Sequence, residues 1–562
     1  MKKFLRNYWL LILIIFLAAF LRPYRLGSNP PSLHWDETAI GYNAYSVLKT
    51  GRDEYGNLLP LIFKSFGDYK PGFYIYLAVP SIALFGLNEF AVRLPSALIG
   101  VLTVWLTFQF TFLLFKKKPL SLLSSLALAI SPWHLQFSRG AWETDVALFL
   151  VLAGVFSFLK AEKGKIIWLY WSVISFGLAL FAYQSSKMFV PLIILGLIIF
   201  FTKKIKSLPQ KHLLINFLLI LIIALPIYFS IFSGGGGRLK VMSIFSYPRN
   251  QDEIKQILEE DNSNQLSFSL FRAKRETSFF LFHTEPLALT RSILERYFNH
   301  FSGRFLFFEG DWSTLRHGPP YMGVLYFLDF LFLLTGTYYL VRQNSNQSKF
   351  IWFWLLISPL PAALSRDSIQ ATRSLNMVLP LMIIIGCGMY QIYLWLRNQK
   401  KIIFIVGSLW LMVGYLWCFV YYLDQYYIHY PIQSSQYWQY GYKNIVNEIY
   451  PIKNNYSKII FTQKYGQPYI YWLFYSRYEP RVYQAKAKLI ENQWGDVGYV
   501  ESLDNIEFRE LYWPSDRSLT KSLFIGTEEE IPLKDIDPNQ ARILDEIKFL
   551  NGKVAFRVVE TL

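Results

Sequence analysis

Eleven apolar runs, each close to the length that crosses a lipid bilayer, recur through this chain of 562 residues. A transmembrane helix needs roughly 20 mostly apolar residues, and a bilayer core admits only segments that satisfy their own backbone hydrogen bonds. The sequence therefore predicts an all-α polytopic membrane protein with about eleven transmembrane helices. The predicted spans lie near residues 8–21, 91–115, 120–137, 145–160, 166–182, 188–202, 213–232, 321–341, 350–363, 376–396 and 402–422.

Basic residues orient these spans, because cytoplasmic loops of membrane proteins carry an excess of Lys and Arg. We place the N-terminal Lys2 and Lys3 inside, before an uncleaved first span. The later basic clusters then fall on the same side, at 116–118, 163–165, 203–206, 342–349 and 397–401. One shorter run, 72–86, is predicted to lie along the outer surface as a helix, because a crossing there would invert every later loop.

The distribution of charged residues indicates which kinds of partner the chain can bind. The formal net charge is +17, but the Lys and Arg sit in short loops between apolar runs rather than along one stripe. We therefore expect a lipid bilayer, here the plasma membrane, as a partner and no nucleic acid. The two cysteines, Cys387 and Cys418, each lie within an apolar run, which excludes a disulfide framework.

The chain divides after the last apolar run. Residues 1–425 form the predicted transmembrane domain, with a first outer loop and surface helices at 22–90 and a long outer loop at 234–320. Four glycines at 234–237 are interpreted as a hinge, because no Lys-Ser/Thr follows them as in a phosphate-binding loop. Residues 430–562 are charged and are predicted to form a small C-terminal α/β domain on the extracytoplasmic side. Its strand-like segments lie at 459–462, 523–525 and 554–559, after a helical pattern at 437–450.

Polar residues gather on the outer face of this topology. Two adjacent carboxylates, Asp36 and Glu37, follow the first span, and a carboxylate so close to a bilayer is costly unless it faces a polar cavity. Carboxylates can take a proton from an attacking hydroxyl, while Lys and Arg can neutralise a departing phosphate. Any other residue of the set, taken singly, is better explained as a helix cap or a solvated loop residue. The others are Asp53, Glu54, Asp68, Lys70, Arg139, Glu143, Asp145, Arg366, Asp367 and Arg373.

Several motifs in these loops resemble one family. They are His-Trp-Asp-Glu at 34–37, Asp-Tyr-Lys-Pro-Gly at 68–72, Phe-Ala-Val-Arg-Leu-Pro-Ser at 90–96, Ser-Arg-Gly-Ala-Trp-Glu-Thr-Asp at 138–145 and Ala-Thr-Arg-Ser at 371–374. Together they resemble dolichyl-phosphate-mannose-protein mannosyltransferases and the bacterial relatives that attach aminoarabinose to lipid A. The resemblance implies a GT-C fold and the inverting transfer of a sugar from a polyprenyl-phosphate-linked donor to a protein, lipid or polysaccharide.

The resemblance also implies roles for individual residues. Asp36 matches the catalytic acid of the first loop, the expected base on the acceptor hydroxyl, and His34 beside it either orients that acid or faces solvent. The catalytic candidates are Asp36, Glu37 and Asp145. The candidates for binding the donor phosphate are Lys70, Arg139 and Arg373. Candidate supporting residues are His34, Arg93 and Arg366.

No cofactor is expected. Some relatives place an acidic metal ligand directly before the motif lysine, where this chain has Tyr69, and no His shows zinc-ligand spacing with another His or a Cys. A single lipid phosphate can be neutralised by Lys and Arg without a metal. Two other classes stay open: a transporter or flippase for a lipid-linked glycan, which charges near span centres would favour, and a non-catalytic membrane scaffold.

Overall fold

The computed structural model of the chain describes residues 2–162, 164–230, 243–246, 285–486, 488–490 and 498–562. The structure is 63% helical and has a β-rich C-terminal region. Most of the long outer loop, including the predicted hinge at 234–237, lies outside the described residues.

Each predicted apolar run contains at least one helix. The first group comprises α1 (Lys2–Leu21), α2 (Trp35–Thr50), α3 (Phe73–Phe85), α4 (Glu89–Phe115), α5 (Lys118–Ile130), α6 (Pro132–Phe137), α7 (Glu143–Lys160), α8 (Ile167–Ala182), α9 (Ser186–Phe200), α10 (Thr202–Ser207) and α11 (Gln210–Ser230). The second group comprises α12 (Glu285–Asn299), α13 (Asp329–Gln343), α14 (Asn346–Ile357), α15 (Leu360–Ala363), α16 (Val378–Arg397) and α17 (Lys401–Asp424).

Three helices are long and apolar enough, by length and composition, to cross a membrane. Within the described residues these are Glu89–Phe115, Leu375–Arg397 and Lys401–Ser434. The shorter apolar helices have 10–17 residues, and at 1.5 Å per residue they reach about 15–26 Å, less than a hydrocarbon core of about 30 Å. The mainly helical fold is confirmed, whereas the count of about eleven transmembrane helices is not.

One predicted span begins later than its apolar run at 321–341. α13 starts only at Asp329. Before it, the backbone N–H groups of Val324 and Leu325 donate to carbonyl oxygens of residues 305 and 306. This stretch therefore pairs with a neighbouring segment instead of winding into the helix.

A hairpin that the apolar pattern does not predict orders the first outer loop. Strands β1 (Ile62–Ser65) and β2 (Asp68–Pro71) pair in antiparallel fashion, with Phe63 opposite Lys70. The chain then enters α3, which occupies the place predicted for the surface helix and packs against α2 and α4. The hairpin thus fixes the position of Lys70 relative to α2.

The residues after α17 form a six-stranded mixed sheet with short helices. The strands are β3 (Lys458–Phe461), β6 (Ser502–Leu503), β7 (Ile506–Phe508), β8 (Ser522–Gly526), β9 (Ala541–Lys548) and β10 (Val554–Thr561), and β4 (Leu489–Ile490) pairs separately with β5 (Tyr499–Val500). The sheet order is β6-β7-β3-β8-β10-β9, with β3 parallel to β7 and β8. The predicted strand segments coincide with β3, β8 and β10. The helices are α18 (Tyr430–Ser434), α19 (Tyr442–Ile449), α20 (Pro468–Tyr475), α21 (Pro480–Lys486) and α22 (Trp513–Asp516).

The C-terminal region packs directly on α2 through α20. Residues 468–474 of α20 are all buried. Gly41 of α2 permits the close approach, because a Cβ there would lie 2.5 Å from the Phe474 ring and 2.7 Å from Val92. The helix that carries the acidic pair is therefore held between the first loop and the C-terminal region.

We predict that Gly388→Ala lowers the apparent melting temperature of the purified protein. α13 and α16 cross at two glycines: a Cβ on Gly388 would overlap the carbonyl oxygen of Phe332, and one on Gly336 would overlap that of Ile384. Backbone atoms cannot move aside as a flexible side chain can, and overpacking of this kind costs about 1–3 kcal/mol. Thermal unfolding in detergent, followed by tryptophan fluorescence, measures the effect.

Gly414→Ala in α17 is the matched control. A Cβ at Gly414 meets the Leu328 side chain at 3.5 Å, an ordinary van der Waals contact. Equal melting temperatures for the variants at 388 and 414 would contradict the close helix crossing.

Candidate active site

The acidic pair lies in the first turn of α2, where free N–H groups and the helix dipole favour negative charge. His34 is the N-cap residue, and its backbone N–H donates to Glu37 Oε2 at 3.3 Å. The two neighbouring carboxylates differ in exposure, with 43% of the Asp36 side chain exposed and 7% of the Glu37 side chain. Of the pair, Asp36 is the residue open to a ligand.

Glu37 is held in a buried ion pair with Arg93. Its Oε1 accepts from Arg93 Nε at 3.1 Å and from the backbone N–H of Ala141 at 2.6 Å, and its Oε2 accepts from Arg93 Nη2 at 2.8 Å. Arg93 also donates to the carbonyl oxygens of Leu26, Pro30 and Ser32. Structural partners therefore occupy both oxygens of Glu37, which favours a supporting role beside Asp36, and its catalytic role stays a prediction.

Asp36 is surrounded by cations. Its Oδ1 accepts from the Lys70 ammonium, which lies 5.2 Å from the centre of the Phe66 ring, and Arg316 Nη1 lies 4.0 Å from its Oδ2. Burial alone would raise the pKa of the Asp36 carboxyl. The Lys70 ammonium, followed by His34 and Arg316, outweighs burial and holds that pKa well below its usual range. Asp36 is therefore ionised at neutral pH.

Arg316 is a member of this cluster that the sequence motifs did not single out. It lies in one turn of 3₁₀ helix, Leu315–His317, near the end of the long outer loop. Its guanidinium donates to His34 Nε2 and lies 5.3 Å from the centre of the Trp142 ring. The sequence contains one signal for it, an Arg-His pair before Gly-Pro-Pro at 316–320.

Arg139, a predicted phosphate ligand, is instead a clamp on the backbone. It is buried, and its Nε donates to the Tyr426 hydroxyl at 3.1 Å. Its other N–H groups donate to the carbonyl oxygens of Leu21, Arg22, Tyr24 and Asn29. Among the residues that the structure describes, no hydrogen bond or ion pair joins it to Asp36 or Lys70, and its place at the donor phosphate stays a prediction.

Asp145, the acid at the end of the second outer loop (residues 138–145), belongs to a separate buried cluster. Its Oδ1 lies 3.4 Å from His134 Nε2, and its Oδ2 accepts from the Ser96 hydroxyl at 3.4 Å. His134 in turn contacts Arg22 Nη2 through Nδ1 at 2.7 Å. Within the described part of the chain, Asp145 makes no hydrogen bond or ion pair with Asp36, so the structure does not join the two predicted catalytic acids.

The late outer loop, residues 365–373, contains an ion pair between two of its own side chains. Arg373 Nη1 donates to Asp367 Oδ2 at 2.5 Å. The Arg366 side chain is exposed, and its carbonyl oxygen accepts from Arg296 of α12 at 3.2 Å. The structure thus gives the predicted phosphate ligand Arg373 an acidic partner in its own loop.

Glu54 is a buried acid within the first outer loop. Its Oε1 accepts from Asn43 Nδ2 at 3.1 Å, and its backbone N–H donates to Asn43 Oδ1 at 3.0 Å. Burial raises the pKa of the Glu54 carboxyl to about 8, with the Asn43 hydrogen bond opposing and the Asp53 charge adding to that rise. Glu54 is therefore mostly protonated at neutral pH.

The charges of the Asp36 cluster define the chemistry it can perform. One partly exposed carboxylate lies with one ammonium and one guanidinium, a set suited to proton abstraction beside an anionic leaving group. In the ranges described above, no three His, Cys, Asp or Glu side chains are grouped to hold a metal ion. Metal independence stays a prediction.

Comparison with known proteins supports the family resemblance. Residues 69–229 match the family described as dolichyl-phosphate-mannose-protein mannosyltransferase. The chain is 26% identical over 173 residues to the Bacillus subtilis (strain 168) protein named "Putative mannosyltransferase YycA". That alignment covers 30% of this chain and 24% of the relative, so the chain matches about a quarter of the length of that protein.

Two solved structures share the fold. ArnT from Cupriavidus metallidurans, bound to undecaprenyl phosphate, matches with a TM-score of 0.52 and 12% identity over 99% of this chain and 98% of that protein. The oligosaccharyltransferase AglB from Archaeoglobus fulgidus, with an inhibitory peptide and a dolichol-phosphate, matches with a TM-score of 0.50 and 12% identity over 84% of this chain and 64% of that one. These matches confirm the family resemblance drawn from the sequence over residues 69–229, and the two solved structures show the shared fold.

We predict that Glu37→Gln lowers the apparent melting temperature markedly. The substitution leaves the buried Arg93 guanidinium without its counter-charge, and breaking a buried pair in this way costs about 3–5 kcal/mol. Glu309→Gln is the matched control, because the Arg304–Glu309 pair is about half exposed and such pairs contribute little. Thermal unfolding at neutral pH compares the two, and equal effects would contradict a structural role for Glu37.

We predict that Glu54→Gln becomes more stable than the wild type as pH rises. A carboxyl with a raised folded-state pKa holds its proton in the folded protein while the unfolded chain ionises, so stability is lost between the ordinary value of 4.5 and about 8. Glutamine resembles the protonated acid and does not titrate. Apparent melting temperatures should agree near pH 5 and diverge, with the variant higher, near pH 9; parallel curves would contradict a raised pKa.

Proposed function

We propose that this protein is an integral membrane glycosyltransferase that moves a sugar from a polyprenyl-phosphate carrier to an acceptor on the extracytoplasmic face. The observation that carries the proposal is the Asp36–Lys70 pair, a partly exposed carboxylate held by one ammonium in the first outer loop. The shared fold with ArnT along 99% of the chain supports the reaction class. The sugar is a hexose or a pentose, and the acceptor is a protein, a lipid or a polysaccharide.

In the proposed reaction, Asp36 is the general base and Lys70 binds the donor phosphate. The acceptor O–H bond breaks, and its proton passes to the Asp36 carboxylate. The acceptor oxygen forms a bond to the anomeric carbon of the sugar from the side opposite the carrier. The bond from that carbon to the phosphate oxygen breaks, its electron pair leaves with the polyprenyl phosphate, and the anomeric centre is inverted.

Lys70 links donor binding to the strength of the base. While Lys70 is paired with Asp36, the carboxylate is a weak base, because the neighbouring ammonium lowers its pKa. A donor phosphate competes for the same ammonium, and when Lys70 turns to the phosphate, Asp36 loses its strongest partner and becomes more basic. The base therefore acts only when a donor is present.

The relatives support the class of donor. The ArnT structure contains undecaprenyl phosphate, and the AglB structure contains dolichol-phosphate. Each of these is a polyprenyl lipid with a single phosphate, the leaving group that one lysine and nearby guanidinium groups can neutralise. A metal ion is not required by this chemistry.

We predict that Asp36→Asn and Lys70→Gln each abolish most sugar transfer. The wild-type chain, purified in nanodiscs, is given a panel of radiolabelled undecaprenyl-phosphate sugars and a membrane extract as the acceptor source. A general base typically contributes about 10²–10⁴-fold, so Asp36→Asn should reduce the rate by at least about 10²-fold. Lys49→Gln, at an exposed lysine of α2, is the control and should leave the rate unchanged.

Two outcomes would contradict the proposal. Undiminished transfer by Asp36→Asn would remove Asp36 as the base. No transfer by the wild type with any donor of the panel would favour a transporter or a scaffold, and translocation of fluorescent undecaprenyl-phosphate sugars across proteoliposomes would then separate those two.

A further inference from the structure

The guanidinium of Arg316 lies between the Asp36 carboxylate and the face of an indole. Its Nη1 atom is 4.0 Å from Asp36 Oδ2, and its central carbon is 5.3 Å from the centre of the Trp142 ring. The electrons of an indole face attract a guanidinium in this place. The same indole packs on Phe137 and His317, with 5.0 Å and 5.5 Å between ring centres. The position of the Arg316 charge therefore depends on what holds Trp142.

Hydrogen bonds fix the His317 ring at both of its nitrogens. Nδ1 lies 2.7 Å from Asp311 Oδ2, and Nε2 lies 3.0 Å from Thr372 Oγ1. Burial opposes ionisation of Asp311, but the His317 contact, followed by further hydrogen bonds, holds the pKa of its carboxyl below the ordinary value. A carboxylate can only accept, so Nδ1 carries the ring proton and Nε2 accepts from the Thr372 hydroxyl.

The partners of His317 are themselves anchored in the late outer loop. The backbone N–H of Ala371 donates to Asp311 Oδ2 at 2.8 Å, beside the ring contact. The Thr144 hydroxyl of α7 donates to the carbonyl oxygen of Thr372 at 2.9 Å. The His317 ring cannot turn without breaking bonds to two separate segments, so it is a fixed surface against which the indole packs.

The His317 ring is neutral at physiological pH. Burial lowers the pKa of His317, the Asp311 charge opposes this fall, and the Arg316 and Arg373 charges add to it. A neutral ring brings no charge to Asp36. An effect of His317 on that carboxyl therefore passes through the placement of Arg316.

We propose that His317 positions the charge of Arg316 beside Asp36. Its ring fixes the Trp142 indole, and that indole holds the guanidinium near the Oδ2 atom. His317 is a positioning residue, because it acts on the carboxylate through two other side chains. The proposal rests on the glycosyl transfer proposed above, in which Asp36 is the base. It gives that base a cation that stays in place when Lys70 turns to the donor phosphate.

The pH dependence of transfer reports the Arg316 charge. Among the described residues, the titratable groups that face Asp36 are Lys70 from β2, His34 beside it, Arg316 from the long outer loop and Tyr471 from α20. A cation this close favours the ionised carboxyl, so loss of the Arg316 charge raises the pKa of Asp36. The acidic limb of the kcat profile reports groups in the substrate complex. In Arg316→Gln it should move to higher pH by about one unit.

Three variants test whether His317 acts through Arg316. His317→Leu should move the acidic limb to higher pH by roughly half of the Arg316→Gln shift or more. The double variant should move it no further than Arg316→Gln alone, because two residues that act through one contact are not additive. An unmoved limb in His317→Leu, or a double variant shifted by the sum of both, overturns the proposal.

Matched variants separate positioning from a general loosening of the loops. His300 is a second buried histidine of the long outer loop; its Nε2 accepts from the backbone N–H of Gln370, and its ring packs on Phe305. His300→Leu should leave the limb in place even where it lowers the melting temperature. Thr372→Val keeps the side-chain shape but removes the hydroxyl bonded to His317, so the limb should rise, whereas Thr372→Ser should keep the wild-type limb. An equal shift in His300→Leu, or equal limbs in the two variants at 372, overturns the proposal.

A measurement without substrate distinguishes this proposal from the proposed function. In the full chain labelled with ¹³C at its aspartate carboxyls, in nanodiscs, the signal of Asp36 is the one lost in Asp36→Asn. That signal should titrate at higher pH in Arg316→Gln and in His317→Leu than in the wild type. Unchanged titration in His317→Leu overturns the proposal, even in an enzyme that transfers sugar. A failure of the proposed function appears instead as absent transfer by the wild type with the shift in titration intact.

Discussion

The buried ion pair between Glu37 and Arg93 is the interaction on which the geometry around Asp36 depends. Taking two charges out of water costs more than their attraction returns unless hydrogen bonds satisfy their remaining groups. Here a backbone N–H from the second loop and three carbonyl oxygens from the first loop complete the set. Successive residues of a helix point about 100° apart, so fixing Glu37 inward turns the neighbouring Asp36 outward. The ion pair of Glu37 thus sets the direction of the Asp36 side chain.

The sequence predicted the features that depend on local pattern. Apolar runs located the helices, α3 among them, because the apolar pattern repeats along the chain. The hairpin β1–β2 has no such repeat, and the contact of Arg316 with His34 joins residues 282 positions apart. Arg139 was assigned to the donor phosphate from its match to a motif, and a motif gives the type of a residue but not its contacts. Its partners are mostly backbone carbonyls, which leave no mark in a sequence.

The C-terminal region holds the backbone of the loop that carries the candidate site. The Tyr471 hydroxyl of α20 donates to the carbonyl oxygen of Leu33 at 3.1 Å, and Gln439 Oε1 accepts from the backbone N–H of Trp35 at 3.0 Å. A side chain at Gly466 would overlap the Trp35 ring. Residues on both sides of His34 are therefore held by the C-terminal region. A truncation after the last apolar helix would leave these loop groups without partners, so the acidic loop and the C-terminal sheet must be treated as one unit.

The protonation of Glu54 reduces the competition between carboxylates for the Lys70 ammonium. The Lys70 ammonium contacts Asp36, and Glu54 lies near enough for that ammonium to oppose the rise of the Glu54 pKa. An ionised Glu54 would compete with Asp36, and with any incoming phosphate, for Lys70. Burial and the neighbouring Asp53 keep Glu54 mostly protonated at neutral pH instead. In the reaction proposed above, the Lys70 ammonium would exchange between two anions, the Asp36 carboxylate and the donor phosphate, and that exchange would raise the basicity of Asp36.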